Sequence, residues 1–150
     1  MFIHGGESDM SADVFERVRE NFARQPFMST LGASLVSVKS GAVEIGVPFR
    51  TDLTQQHGFI HAGVITSVLD SACGYAALSV APDGVDVLSV EFKVNLMTPA
   101  VGERFVARAH VKRAGKLLTV STADAFAIKE GQEKLVATMT ATIVNLKRES

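Results

Sequence analysis

The stretch HAGVITSVLDSACGYAALSV, residues 61–80, decides how this chain of 150 residues folds. From Ala62 to about Val80 it is rich in alanine and apolar around most of a helical circumference, which predicts one long helix buried on several sides. Its apolar run is interrupted by four polar residues, Thr66, Ser67, Asp70 and Ser71. Such interruptions favour a helix inside a protein core over a membrane span. The rest of the chain must therefore wrap this helix.

Segments with alternating side chains flank the long helix on both sides. Before it, residues 31–39 and 42–49 surround Ser40-Gly41 and predict a hairpin. After it, strands are predicted at 86–96, 104–112, 116–128 and 134–145. An amphipathic helix is predicted from Asp13 until Pro26 ends it. Because helices and strands segregate along the chain, this order predicts an α+β fold in which an antiparallel sheet packs against one central helix.

Length and composition limit the class of protein. A chain of this length predicts a single domain over residues 13–150, preceded by a flexible leader over 1–12 in which His4-Gly5-Gly6 carries no function. The net charge of −1 argues against nucleic acid as the main partner. A lone Cys73 excludes an internal disulfide, and no zinc-binding spacing or export signal is found. We therefore expect a cytoplasmic protein without a metal or a membrane partner.

Two features of the long helix point to chemistry. The small pair Ala62-Gly63 opens the helix, so its first backbone N–H groups lack intrahelical acceptors. A helix end of this kind can hold an oxyanion. Asp70 is a carboxylate on an otherwise apolar helix, within a narrow stripe of small or polar residues at helical spacing. A carboxylate in that position needs a functional or a structural reason.

Each candidate residue also has a structural interpretation. Asp70 could be a buried acid whose oxygens are satisfied by neighbouring hydroxyls. His61 could serve to cap the helix, and His57 is expected to be structural. Cys73 is expected to be a small core residue, because no histidine lies at a helical spacing that could activate its thiol.

The string HAGVITSVLD, with Gln55 six residues before His61 and Asp70 nine after it, resembles the hotdog-fold acyl-CoA thioesterases of the phenylacetate-pathway (PaaI-like) type. The resemblance covers residues 26–146 and includes the stretch LSVEFKVNLMTPA at 88–100. It implies a sheet wrapped around the central helix, and hydrolysis of acyl-CoA thioesters to free acid and CoA. It implies no cofactor, since coenzyme A enters as part of the substrate.

The resemblance also implies roles for residues before and at the helix start. Gln55 would help to position the thioester or the attacking water, and His61 would support the turn that binds the carbonyl. The backbone N–H that follows, at Ala62 with Gly63, would polarise the thioester carbonyl. This chain departs from the family at Ala62, where relatives commonly have a first glycine in His-Gly-Gly.

By the same resemblance Asp70 would be the nucleophile or the general base, and Ser89 would help to orient the water. The helix rises about 12 Å between Ala62 and Asp70, so one chain cannot place both groups on one carbonyl. We therefore expect a homodimer with two shared sites, which could pair again into a tetramer as a dimer of dimers. The resemblance to hotdog thioesterases implies the same dimers or dimers of dimers with shared sites.

Substrate contacts are predicted at four further residues. Arg113 and Lys116 belong to a basic group around one predicted strand and its turn, and either bind the phosphates of coenzyme A or form a solvated face. Phe59 and Tyr75 are expected to line the acyl pocket. Two other functions stay open at this point: a non-catalytic acyl-CoA-binding hotdog protein, and a hotdog dehydratase or hydratase.

Overall fold

The computed structural model describes residues 7–149. The elements are α1 (Glu7–Ala23), α2 (Pro26–Leu31), β1 (Ser34–Lys39), β2 (Ala42–Pro48), α3 (Ala62–Val80), β3 (Val85–Leu96), β4 (Arg104–Ala114), β5 (Leu118–Lys129) and β6 (Gln132–Lys147). The six predicted strands and the long central helix are confirmed, and α3 has the predicted bounds. It is long and apolar enough to cross a membrane by composition alone, but here it is the packed central helix of the fold.

The first helix is longer than the sequence pattern predicted. It begins at Glu7 rather than at Asp13, so residues 7–12 of the expected leader are helical. These residues carry no apolar stripe that would reveal a helix, but once a nucleus exists each further residue adds one hydrogen bond. The leader's first part, with His4-Gly5-Gly6, lies outside the described residues.

Pro26 ends one helix and begins another. It occupies the first turn of α2, where a missing N–H costs nothing because that group has no intrahelical partner. Gly32 closes α2 with a φ of 71°, and its N–H bonds to the carbonyls of Met28 and Ser29. The predicted strand start at Leu31 is therefore wrong, since Leu31 is the last residue of α2 and β1 starts at Ser34.

The six strands form one sheet in the order β1-β2-β4-β5-β6-β3, with every neighbouring pair antiparallel. Helix α3 packs across one face of this sheet. The strands opposite it present mainly small side chains: Ala107 and Ala109 of β4, Ala123, Ala125 and Ala127 of β5, and Ala137 and Ala141 of β6, all buried. Methyl-sized side chains let an apolar helix approach the sheet closely, so the alanine content of both layers fixes where α3 lies.

Strand β3 forms one edge of the sheet, and several of its apolar side chains are exposed. Leu88 is 59% exposed, Val90 57% and Leu96 53%. The alternation at 86–96 correctly predicted a strand, but among the described residues the strand has a hydrogen-bonding partner, β6, on one side only. An edge with exposed apolar side chains is a surface suited to a protein contact.

Candidate active site

His61 caps the N-terminus of α3. Its backbone is extended, with φ −61° and ψ 136°, and its side-chain Nδ1 accepts a hydrogen bond of 2.7 Å from the N–H of Gly63. A β-carbon at Gly63 would lie 2.9 Å from that same Nδ1, so only glycine leaves room for the cap. The capping interpretation of His61 is confirmed, and the requirement for Gly63 follows from it.

The cap leaves one amide at the helix start without a partner. The N–H of Gly63 is taken by His61, and the N–H of Val64 bonds to the His61 carbonyl at 2.9 Å. Within residues 7–149, the N–H of Ala62 has no acceptor. Ala62 is the first residue of α3 and does not have a positive φ, so the family's glycine is not needed here for backbone conformation. The donor available to a ligand is therefore that of Ala62.

A cavity of about 390 Å³ opens beside this helix start. Gln55, Phe59, His61 and Ala62 line it on the loop side. Gln55 belongs to a tight loop in which its side-chain Oε1 accepts a hydrogen bond from the N–H of His57. This hydrogen bond does not use the Nε2 group of Gln55. Gln55 and Phe59 therefore lie beside the same cavity as the start of α3.

Asp70 lies on α3, half-buried, and meets Ser89 of the edge strand. The Ser89 hydroxyl donates to Asp70 Oδ1 at 2.7 Å. A bulge between Ser89 and Glu91 makes this contact possible. Ser89 lies opposite the buried Ile143 of β6, and beyond the bulge Phe92 lies opposite the buried Ala141. Ile143 and Ala141 are two residues apart, so Ser89 and Phe92 are on the same face of the sheet. Strict alternation would put Ser89 on the opposite face from Phe92; the extra residue turns both toward α3.

A second cavity, of about 1060 Å³, contains the Asp70 carboxylate. Asp70, Gly74, Tyr75 and Leu78 of α3 line one side of it, and Ser89 of β3 lines another. Asp70 is therefore not a buried acid satisfied only by its neighbours, because it borders a space large enough for a ligand.

Asn21 of α1 and Gln25, the residue before α2, form a polar wall of this cavity that the sequence pattern did not reveal. The Tyr75 hydroxyl lies 3.0 Å from Gln25 Oε1 and 3.2 Å from Asn21 Oδ1, and Gln25 Nε2 donates to the Ser71 hydroxyl at 3.3 Å. Burial raises the pKa of Tyr75 to about 12. The only signal in the sequence was the helical spacing of Asn21, Arg24 and Gln25, which is also typical of any solvated helix face.

The two halves of the predicted site lie apart within one chain. Ala62 and Gln55 line the first cavity, Asp70 and Ser89 line the second, and no described residue lines both. The helical rise between Ala62 and Asp70 accounts for the separation, at about 12 Å. Phe59 lines the first cavity and Tyr75 lines the second, so these two residues do not form one pocket within one chain.

Cys73 is fully buried on the same helix. Burial, together with the nearby charge of Asp70, raises the pKa of its thiol to about 12. A thiol with such a pKa stays protonated and is a poor nucleophile at neutral pH. The interpretation of Cys73 as a core residue is confirmed. Among the described residues there is also no cluster of three His, Cys, Asp or Glu side chains that could hold a metal ion.

The basic group near β4 divides into paired and unpaired cations. Arg108 bonds to Glu133 and Glu44 and lies 4.8 Å above the Phe126 ring, so its charge is already compensated. Arg113 and Lys116 are exposed at the end of β4 and in the turn to β5. They line neither of the two cavities described above.

Comparison with known proteins connects this geometry to a family. The model of the thioesterase superfamily matches residues 57–134. A thioesterase family protein of known structure from Silicibacter pomeroyi is 53% identical, with a TM-score of 0.88 over 89% of this chain and 98% of that one. The PaaI protein from the phenylacetic acid degradation operon of E. coli has a TM-score of 0.83 at 18% identity, over 93% and 97% of the two chains. Human acyl-coenzyme A thioesterase 13 is 28% identical over 119 residues, 78% of this chain and 84% of that protein. The expected hotdog fold is thereby confirmed.

Proposed function

The chain belongs to the thioesterase superfamily, and from this premise we propose that it hydrolyses acyl-CoA thioesters to free acid and CoA at a site shared between two copies of the chain. The observation that carries the proposal is the division of the site. An unpartnered amide at Ala62 borders one cavity, and the Asp70 carboxylate held by Ser89 borders another. The first cavity has the amide donor without the carboxylate, and the second has the carboxylate without the amide donor.

The chemistry assigns one task to each half. The Ala62 N–H, at the positive end of the α3 dipole, donates to the thioester carbonyl oxygen and stabilises the negative charge that forms there. Asp70 either takes a proton from a water that attacks the carbonyl carbon, or attacks that carbon itself. In both cases the carbon–sulfur bond breaks and the CoA thiolate leaves. In the second case the acyl group is held on Asp70 as a mixed anhydride, and water then hydrolyses it to the free acid and restores the carboxylate. Ser89 orients the carboxylate or the water, and Gln55 holds the substrate beside the helix start.

The edge strand supports the shared site. Leu88 and Val90 expose their side chains, and β3 has a strand partner on one side only. A second copy packed against this edge, with its α3 antiparallel, would bring the Ala62 of one chain to the Asp70 of the other. The resulting homodimer has two equivalent sites, and a further pairing into a tetramer would leave them unchanged.

Other parts of the proposal concern substrate and location. Arg113 and Lys116 are free to bind the phosphates of coenzyme A, since neither is in a salt bridge among the described residues. Phe59 and Tyr75 contact the acyl group from the two chains. The single cysteine of the sequence, which excludes an internal disulfide, is the observation that supports a cytoplasmic location in this proposal.

The direct test is the release of free thiol from acetyl-, butyryl-, octanoyl- and phenylacetyl-CoA. Replacing Asp70 with Asn keeps the shape of the side chain and removes its charge, so we expect turnover to fall by about 10²-fold or more. Asp83→Asn, in the exposed segment after α3, is the matched control and should leave turnover unchanged. Turnover of the Asp70→Asn enzyme near the wild-type rate would refute the assignment. Binding without turnover by the wild type would instead indicate an acyl-CoA-binding protein.

A further inference from the structure

Gly74 is a glycine in the interior of α3 that the packing of the chain does not explain. Within residues 7–149, a β-carbon built at this position would have no heavy atom within 4 Å. Its φ is not positive, so its backbone conformation is open to any residue. Glycine destabilises the interior of a helix relative to alanine. The part of the chain that the structure describes therefore gives no steric or conformational reason for a glycine at this position.

The neighbouring residues show what α3 uses where it packs tightly. Ala72, Ala76 and Ala77 are fully buried against the rest of the fold, and each carries a methyl group. Gly74 instead faces the cavity that contains Asp70. Alanine is thus small enough for the positions at which α3 packs tightly against the core. The methyl group that Gly74 lacks therefore leaves space in the cavity, not in the core.

Gly74 and Asp70 lie on the same face of α3. Residues four apart in a helix have β-carbons about 5–6 Å from each other, so the open space at Gly74 begins one helical turn from the carboxylate. Leu78 follows one turn later and lines the same cavity. The Tyr75 side chain beside them is held by Asn21 and Gln25 and forms a fixed wall. The open space is thus a groove along α3 that starts at Asp70.

On the basis of the proposed function, we propose that Gly74 determines acyl-group specificity. The bare backbone accommodates an acyl group that extends from the reacting carbonyl by at least one helical turn and passes over Gly74 toward Leu78. The substrate class is therefore an acyl-CoA whose acyl group is long enough to fill this groove. A short acyl group such as acetyl ends before it reaches Gly74.

The test compares kcat/KM for octanoyl-CoA and acetyl-CoA in the wild type, Gly74→Ala, Gly74→Val and Ser34→Val. Ser34 is exposed at the start of β1, on the opposite edge of the sheet from β3, and is the matched control. One methylene group in a hydrophobic pocket changes selectivity by about 10- to 200-fold. We expect the octanoyl-to-acetyl ratio to fall about tenfold or more in Gly74→Val, less in Gly74→Ala, and not at all in Ser34→Val. Gly74→Ala should also raise Tm by about 2–4 °C, because alanine favours the helix and meets no neighbour.

Three results would overturn the inference. An unchanged ratio, with activity toward both substrates reduced equally, would assign Gly74 a general structural role. A change in oligomeric state by size-exclusion chromatography would show that Gly74 packs against a second copy of the chain. A wild type that cleaves neither thioester would remove the proposed function as well, whereas the first two results leave that function standing.

Discussion

Replacing Ala62 with proline removes the proposed carbonyl donor and little else. Ala62 is the first residue of α3, a position that proline favours because its fixed φ suits the helix and the N–H has no intrahelical partner. The preceding His61 has ψ 136°, within the range that a residue before proline adopts. Since the Ala62 N–H has no acceptor within the part of the chain that the structure describes, the fold loses no hydrogen bond. The variant should therefore fold normally.

The loss of activity follows from the value of one donor to an oxyanion. Removing such a donor costs about 10²–10³ in kcat, so Ala62→Pro should lose that factor in thiol release while its Tm stays near the wild-type value. Ala62→Gly keeps the N–H and is the control, and it should retain most of the activity. A proline variant that turns over within a few-fold of the wild type would refute the role of this amide.

Mixed dimers test whether the site is shared. Consider a heterodimer of one Ala62→Pro chain and one Asp70→Asn chain, purified through two different tags. If the two halves come from different chains, one site receives the intact Ala62 amide and the intact Asp70, and the other receives both substitutions. Such a heterodimer should show about half of the wild-type activity. If each chain forms its own site, both sites are damaged and the activity stays at the level of the single variants, which would refute the shared arrangement.

Charges and thiols outside the reacting groups give two more expected outcomes. Reversing the charge of Arg113 and Lys116 should raise KM for CoA thioesters more than for thioesters without the nucleotide, and equal effects would indicate a solvated face. Cys73 should resist alkylation at pH 8 in the native protein and react in urea, and rapid alkylation of the folded chain would contradict its burial. Because folding raises the pKa of this thiol from 9.0 to about 12, the unfolded chain releases the proton first, and the urea midpoint should fall as pH rises from 9 to 12. Cys73→Ala should reduce that fall.

The fold was largely predictable because helices and strands differ in the spacing of their apolar residues along the sequence. Strands alternate every two residues, and α3 is apolar on most sides, so each segment could be assigned from local pattern. The bounds of α3 matched because its start carries a small pair after a capping histidine. The sequence pattern failed at two places. Residues 7–12 are helical but have no apolar periodicity. At α2, Pro26 predicted the end of a helix, but proline is also favoured in the first turn of a helix, and here it begins one.

From the residue pattern alone, the candidate site was predictable only in its α3 portion, whereas Gln55 and Ser89 were indicated by the family resemblance. Asp70 and Ala62 stand out because polar or unpaired groups on a buried helix need partners. The polar wall of Asn21 and Gln25 could not be predicted, since it depends on how the end of α1 and the start of α2 pack against Tyr75. Tertiary contacts of this kind produce no periodic pattern of apolar residues in the sequence.

Ser89 shows most clearly where the pattern alone fails. The strict alternation of residues 88–96 places Ser89 on the polar face of its strand, opposite Phe92 and away from the helix. The bulge after Ser89 costs one position of ladder pairing with β6 and turns both side chains toward α3. The same departure from regularity brings the hydroxyl to Asp70 and leaves Leu88 and Val90 uncovered at the edge of the sheet. Because one local irregularity both positions a polar group at the carboxylate and exposes the surface that a second copy would cover, the site and the proposed dimer interface depend on the same few residues of β3.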